Sequence, residues 1–171
     1  MSKTLIFTAT YNEKENIKKL IENLNSLKIN IDVLVIDDNS PDKTWEILQE
    51  LEKNSANLKV IVRKDKSGLD TAHKLAFEYA KNNGYEKFIS MDADLSHDPN
   101  EIPKMIDILN KSSFVIGSRY IEGGKCEMSS HRLMLSIVGN KFIKKLLRID
   151  CNEFTTSYRG FNLLKLNEFD L

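Results

Sequence analysis

FISMDADLSHD, residues Phe88 to Asp98, is an apolar run that ends on acids. Phe88 to Ser90 reads as a short buried strand, and Met91 onward as the loop that it runs into. A strand's period of two sends Asp92 and Asp94 to the same side, which makes a pair of oxygen donors for a hard cation. Mg²⁺ keeps several waters and is usually held by one or two carboxylates plus substrate phosphates, so a pair this sparse suits a metal brought in with a diphosphate. Asp, Ser and Asn also start helices, and this stretch alone leaves a helix cap open as the other reading.

Outward from it the same pattern recurs. Apolar or β-branched runs at Thr4 to Ala9, Asp32 to Ile36, Leu58 to Val62, Lys87 to Met91 and Ser113 to Gly117 read as short strands. Helical spacing, as in Ile17, Leu20, Ile21 and Leu24, predicts helices at about Glu13 to Leu27, Thr44 to Asn54, Gly68 to Asn83 and Asn100 to Asn110. Right-handed crossovers then make this an α/β chain, a Rossmann-like, mostly parallel sheet flanked by helices, in a single domain of 171 residues. Ligands of such open sheets bind beyond the carboxyl ends of the strands, so the residues just after each strand carry the information.

Composition removes several classes. Lys plus Arg and Asp plus Glu are 25 each, which gives no excess charge to attract nucleic acid. No apolar run approaches the roughly 18 residues of a membrane span, and the N-terminal run is too short for a signal peptide. Cys126 and Cys151 lack metal-ligand spacing and read as reduced thiols, so a cytoplasmic protein is expected. No GxGxxG follows the first strand, which disfavours a nicotinamide or flavin dinucleotide.

Two other strand ends are polar beyond the needs of a turn. Thr10, Tyr11, Asn12 and Glu13 follow the first, where an aromatic face and a carboxylate can stack on a base and accept its N–H groups, or simply start a helix. Asp37, Asp38, Asn39, Ser40, Pro41 and Asp42 follow the second, where a carboxylate can bind a ribose diol.

TYNE, VIDDNSPDKT, KSGLDTAHKLAFEYA, MDADLSHDP, VIGSRYIEGG and TTSYRGF, in that order from Thr4 to about Asn162, resemble the successive motifs of the family 2 glycosyltransferases of GT-A fold. The likeness is to the dolichol-phosphate mannose synthase-like branch, which makes polyprenyl-phosphate sugars. That resemblance implies inverting transfer of a hexose from a GDP- or UDP-sugar to the phosphate of a membrane lipid carrier, polyprenyl or dolichyl. It implies that Thr10, Tyr11 and Glu13 hold the nucleotide, that Asp38 lies near the base and ribose, and that Asp92, Ala93 and Asp94 form the DxD motif. Asp92 and Asp94 would bind Mg²⁺ or Mn²⁺ on the donor diphosphate. Arg119 and Arg132 match basic residues assigned to phosphates and, with Asp94, are the expected catalytic residues. Arg119 could instead pair with an acid to hold a strand end, Arg132 could be a surface charge, and Arg159 is as well read as structural.

The chemistry is consistent with these roles. A glycosyl phosphate bond breaks through an oxocarbenium-like state, so the main task is to stabilise charge on the leaving diphosphate. A lipid phosphate is already an anion near neutral pH, with a second pKa of about 6, and needs a cationic grip rather than a base. A sugar-hydroxyl acceptor would need a carboxylate base, for which Glu153 is the nearest candidate.

The chain departs from the family pattern in three places. Ser96 stands where Gln is common, and Asp70 replaces a glycine at a turn where backbone approaches the donor. The chain also ends at Leu171, shortly after TTSYRGF, so a truncated or minimal domain over residues 1–171 is expected. His97 could orient the metal acids, whereas His73 reads as a packed or solvated helix residue. Glu127 to Arg148 reads as a basic amphipathic helix, able to lie on an anionic membrane surface or to pack on the sheet. The competing readings are a receiver-like signalling domain, because VIDDNS resembles its acidic pair, a nucleotidyltransferase, and a nucleotide-sugar binder without activity.

Overall fold

The structure is a computed structural model that describes residues 3–120, 130–148, 151 and 153–166, without the side chains of residues 130, 132 and 133. In chain order the elements are β1 (Thr4–Thr10), α1 (Ile17–Ser26), β2 (Ile31–Asp37), α2 (Thr44–Lys53), β3 (Leu58–Val62), α3 (Leu69–Asn82), β4 (Lys87–Ser90), α4 (Ile102–Lys111), β5 (Phe114–Ile116), α5 (Ser130–Leu147) and β6 (Arg159–Asn162). The sheet order is β3-β2-β1-β4-β6-β5. The first four of these strands run parallel, and β6 is antiparallel to both β4 and β5. The sheet is therefore mostly parallel, with one antiparallel strand that the βαβα alternation does not announce.

Alternation along β1 builds two cores. Ile6 faces α1, α2 and α4 in a cluster with Leu20, Val35, Leu48, Ile89 and Leu109, while Leu5 and Phe7 face α3. The α3 helix turns Ala72, Ala76 and Ala80 toward the sheet, one turn apart, so the helix backbone approaches closely over Phe7 and Phe88. Burial on both faces is what makes these strands read as continuous apolar runs. On β6, a Cβ at Gly160 would lie 2.8 Å from Val115 Cγ1 and 2.9 Å from Leu109 Cδ1, so glycine is needed for α4 to pack there.

The chain runs outward from β1 to β3 and then returns to β4 on the other side of β1. This reversal opens a crevice at the carboxyl ends of β1 and β4, the place where ligands bind in such sheets. Phe7 is paired with Ser90 and Thr10 with Asp37, so the loops after β1, β2 and β4 emerge together.

Several boundaries differ from expectation for local reasons. The α1 helix starts at Ile17 rather than Glu13, because Asn16 and Ile17 both donate to the Glu13 carbonyl and close a turn first. TTSYRGF becomes strand only from Arg159: the Thr156 hydroxyl accepts the amide of Tyr158 at 3.1 Å, a local bond that competes with the ladder. Asp70 has ordinary helical geometry in the first turn of α3, and the positive φ of that turn, +87°, belongs to Gly68. Asp at this place is thus in a position that favours acids. No helix among the described residues is long and apolar enough to cross a membrane.

Candidate functional site

At the end of β2, Asp37 is wholly buried and organises two loops. Its carboxylate accepts the Thr10 hydroxyl at 2.7 Å, the Ser40 amide at 2.8 Å and the Ser40 hydroxyl at 2.7 Å. Ser40 Oγ in turn accepts the amide of Asn12, and Thr44 Oγ1 the amide of Glu13, both at 3.0 Å. TYNE and DNSPDKT are therefore one braced unit. The Thr10 side chain faces inward, whereas Tyr11 is exposed with the Lys66 ammonium 3.7 Å above its ring. Glu13 Oε2 accepts Asn16 Nδ2 at 2.9 Å.

Asp38 is also buried, but its partner is a residue that the sequence reading missed. Arg63, just after β3, binds Asp38 Oδ1 through Nε and Nη2, and donates to Gly68 O at 2.9 Å and Thr71 Oγ1 at 2.5 Å. The amides of Ser67 and Gly68 complete the set on Asp38 Oδ2 at 3.2 and 3.1 Å. The available signal was position: Arg63 follows a strand, as every other informative residue does. With Asp37 buried and Asp38 locked to Arg63, neither acid is presented as a receiver's phosphorylated aspartate would be.

After β4, Ala93 is buried while Asp94 on its far side is exposed and the Asp92 side chain is 42% exposed. Each carboxylate spends Oδ1 on the protein: Asp92 accepts the Ser157 hydroxyl at 2.5 Å and Asp94 the Ser96 amide at 3.0 Å. Partial burial raises the Asp94 carboxyl, but hydrogen bonds from Ser96 and the nearby His97 outweigh it and hold the group below the usual carboxylate range. Asp94 is therefore an anion at neutral pH. The cap left open above is supplied by Asp98, whose Oδ1 accepts the amide of Asn100 at 2.9 Å and so caps the 3-10 turn Pro99–Glu101 that leads into α4. Among the described residues no three His, Cys, Asp or Glu side chains converge as a closed metal cage. Two carboxylates without a third protein ligand fit Mg²⁺ or Mn²⁺ whose other ligands are phosphate and water.

Arg119 lies beyond β5 and meets Glu153. Its Nε and Nη2 reach the two Glu153 oxygens at 3.0 and 3.1 Å, and Nη2 also donates to Thr155 Oγ1 at 3.0 Å. Glu153 is fully buried, and also accepts Thr155 N at 3.0 Å, Thr155 Oγ1 at 2.6 Å and Asn140 Nδ2 at 3.4 Å. Burial pushes this carboxyl upward, but the bonds from Arg119 and Thr155 prevail and lower it. Glu153 is thus corrected from a candidate base to the counter-charge of Arg119, because a buried carboxylate holding five donors has no access to a hydroxyl. Arg159 is structural here, donating to Thr156 O at 2.7 Å and Phe154 O at 2.9 Å. His73 packs edge-on against Phe7, with centroids 5.0 Å apart.

Of the two expected placements of α5, packing of Met134, Val138, Phe142 and Leu146 on the sheet is not found. Its inward contacts are polar: Ser136 accepts the Tyr120 hydroxyl at 2.6 Å, and Asn140 Oδ1 accepts the amide of Phe154 at 2.8 Å. Met134, Leu135, Val138, Phe142 and Leu146 point outward, 60% to 72% exposed, among the exposed Lys141, Lys145 and Arg148. Residues 127–129 of the expected helix, and the side chain of Arg132, lie outside the described residues. A cavity of about 290 Å³ beside α5 is lined by Tyr120, Ile137, Asn140, Lys141, Lys144 and Cys151.

The mostly parallel sheet, with Asp92 and Asp94 after β4 at the point where the strand order reverses, has the arrangement of the GT-A fold. Residues 5–168 match Glycosyl transferase family 2, and the chain belongs to that family. Over 99% of its length it is 33% identical to polyprenol monophosphomannose synthase of Mycolicibacterium smegmatis, of which it covers 65%. Over 73% of its length it is 44% identical to dolichol-phosphate mannosyltransferase of Pyrococcus furiosus, of which it covers 35%. The chain thus spans about two thirds and one third of these relatives. In fold it is similar to a mannosyltransferase of Pyrobaculum calidifontis solved with GDP-Man and Mn²⁺, with a TM-score of 0.65, 16% identity, and 96% of this chain and 46% of that one covered.

Proposed function

We propose that the chain transfers a mannosyl group, with inversion, from a GDP- or UDP-sugar to the phosphate of a polyprenyl or dolichyl carrier. The observation that carries this is the Asp92 and Asp94 pair at the switch point, beside the braced loops after β1 and β2, in a chain whose relatives bear lipid-phosphate mannosyltransferase names. In this reading Tyr11 and Glu13 receive the base, with the backbone of Thr10 and Ala93 at the floor of the donor cleft. Asp38 and Arg63 hold the edge of that cleft near the ribose, and Arg119 and Arg132 grip phosphate. Asp92 and Asp94 would hold Mg²⁺ or Mn²⁺, which when bound supplies Lewis-acid stabilisation of charge on the leaving diphosphate. The hydroxyl-acceptor reading loses its nearest candidate base, because Glu153 is buried and paired with Arg119.

Isothermal titration with GDP, UDP and GDP-mannose, in Mn²⁺ and in EDTA, tests the donor half. Binding of one nucleotide that depends on Mn²⁺ is the expected result and names the base; no binding to any of them would remove the reading.

The acceptor half places α5 at a membrane surface. Its outward apolar residues stand among lysines, which suits insertion at an anionic interface from the cytoplasmic side. The chain is expected to co-sediment with anionic liposomes at low salt, and Phe142→Asp to weaken this without lowering Tm, since Phe142 is 65% exposed. Sedimentation at background level, or equal sedimentation of Phe142→Asp, would take α5 out of the acceptor site.

A further inference from the structure

The imidazole of His97 joins the loop after β4 to the segment before β6. Its Nδ1 accepts the backbone N–H of Asp92 at 2.9 Å, so Nδ1 is the unprotonated nitrogen. In the neutral ring the proton then sits on Nε2, which faces Thr156 Oγ1 at 3.3 Å and Asp92 Oδ2 at 3.7 Å. The ring lies on Tyr158, with centroids 4.8 Å apart and planes 12° from parallel. Tyr158 is itself anchored, donating its hydroxyl to Asp98 O at 2.8 Å. On the other side of Asp92, Oδ1 receives the Ser157 hydroxyl at 2.5 Å.

Asp92 is therefore held at its amide and at one carboxylate oxygen, with His97 the residue that fixes the amide. A ligand role does not fit this ring. One nitrogen has its lone pair committed to the amide, and the other carries the proton, so neither has electrons to give a cation. We infer that His97 is a positioning residue for the metal-nucleotide site, setting the backbone at Asp92 so that its carboxylate and that of Asp94 meet one ion. The inference rests on the metal-dependent donor reading above.

Two substitutions separate positioning from mere packing. His97→Asn places an amide oxygen near the Nδ1 position and keeps an acceptor for the Asp92 N–H. His97→Gln reaches toward the Nε2 position instead and leaves that N–H without its partner. Mn²⁺ affinity is measured by titration in saturating GDP or UDP, nucleotide affinity in EDTA, and Tm for each variant. His97→Gln is expected to weaken Mn²⁺ binding about 10–100-fold, the usual effect of losing a group that orients metal ligands. His97→Asn should recover most of it, and whatever weak nucleotide binding remains in EDTA should be the same in both variants as in the wild type. Equal Mn²⁺ affinity in the wild type and His97→Gln would overturn the inference, as would Asn being as weak as Gln. A wild-type chain that binds no nucleotide with Mn²⁺ would instead overturn the donor reading, and the inference with it.

Discussion

Asp94→Ala is expected to abolish Mn²⁺-dependent nucleotide binding and to lower kcat/KM by about 10³-fold, while Tm stays almost unchanged. The first effect follows from the role: a metal on the leaving group supplies several kcal/mol of charge stabilisation, and each 1.4 kcal/mol is about tenfold in rate. The second follows from the surroundings. Asp94 is exposed and is held by hydrogen bonds from its near neighbour Ser96, so its removal resembles a surface substitution, worth about 0.5 kcal/mol or less. Asp94→Asn keeps the shape and loses the charge, and should lie close to the alanine variant in metal affinity. Titration and initial rates with a nucleotide-mannose donor and a polyprenyl phosphate acceptor decide the matter. Unchanged Mn²⁺ affinity in either variant would remove Asp94 from the site.

Arg119→Ala should behave in the opposite way and destabilise the protein before activity can be compared. It strips the counter-ion from Glu153, which is fully buried, and breaking such a pair from one side costs about 3–5 kcal/mol. In a domain of this size each kcal/mol moves Tm by roughly 2–4 °C, so a fall on the order of 10 °C is expected. Arg119→Ala combined with Glu153→Gln should recover much of the loss, because the amide needs no counter-charge and still accepts from Thr155 and Asn140. If Arg119 also grips phosphate, the recovered double variant stays inactive. Full activity in it would restrict Arg119 to holding the fold.

The same pair has an acid signature. Glu153 has a lower pKa in the folded protein than in the unfolded chain, so its contribution is present above the ordinary glutamate range and is lost as pH falls through the lowered value. In the double variant that dependence should be gone, as thermal melts across the acid range would show.

The strands, the switch point of the sheet and the acids that follow β4 were legible because each rests on a local rule. Phe7, Phe88 and the alanines of α3 carry periodicities of 2 and 3.6, and Asp92 and Asp94 sit where a strand ends. Long-range partners were not legible. Arg63 and Asp38 are 25 positions apart in sequence and Arg119 and Glu153 are 34 apart, with no spacing to connect them. The α5 helix misled for a related reason. Its apolar residues fit a helix, but which side met the protein depended on Ser136 and Asn140 finding Tyr120 and Phe154.

By itself the sequence determined the α/β class, the order of strands and helices from β1 to β5, the family and the loops that carry polar side chains, all of which follow from local periodicity and motif order. Only the tertiary structure decided that Glu153 is a buried counter-charge, that Asp98 rather than Asp92 or Asp94 caps the 3-10 turn ahead of α4, and that α5 turns Met134, Leu135, Val138, Phe142 and Leu146 outward. Those outcomes depend on desolvation and on partners brought together from distant parts of the chain, which become defined only once the sheet has placed its strand ends side by side.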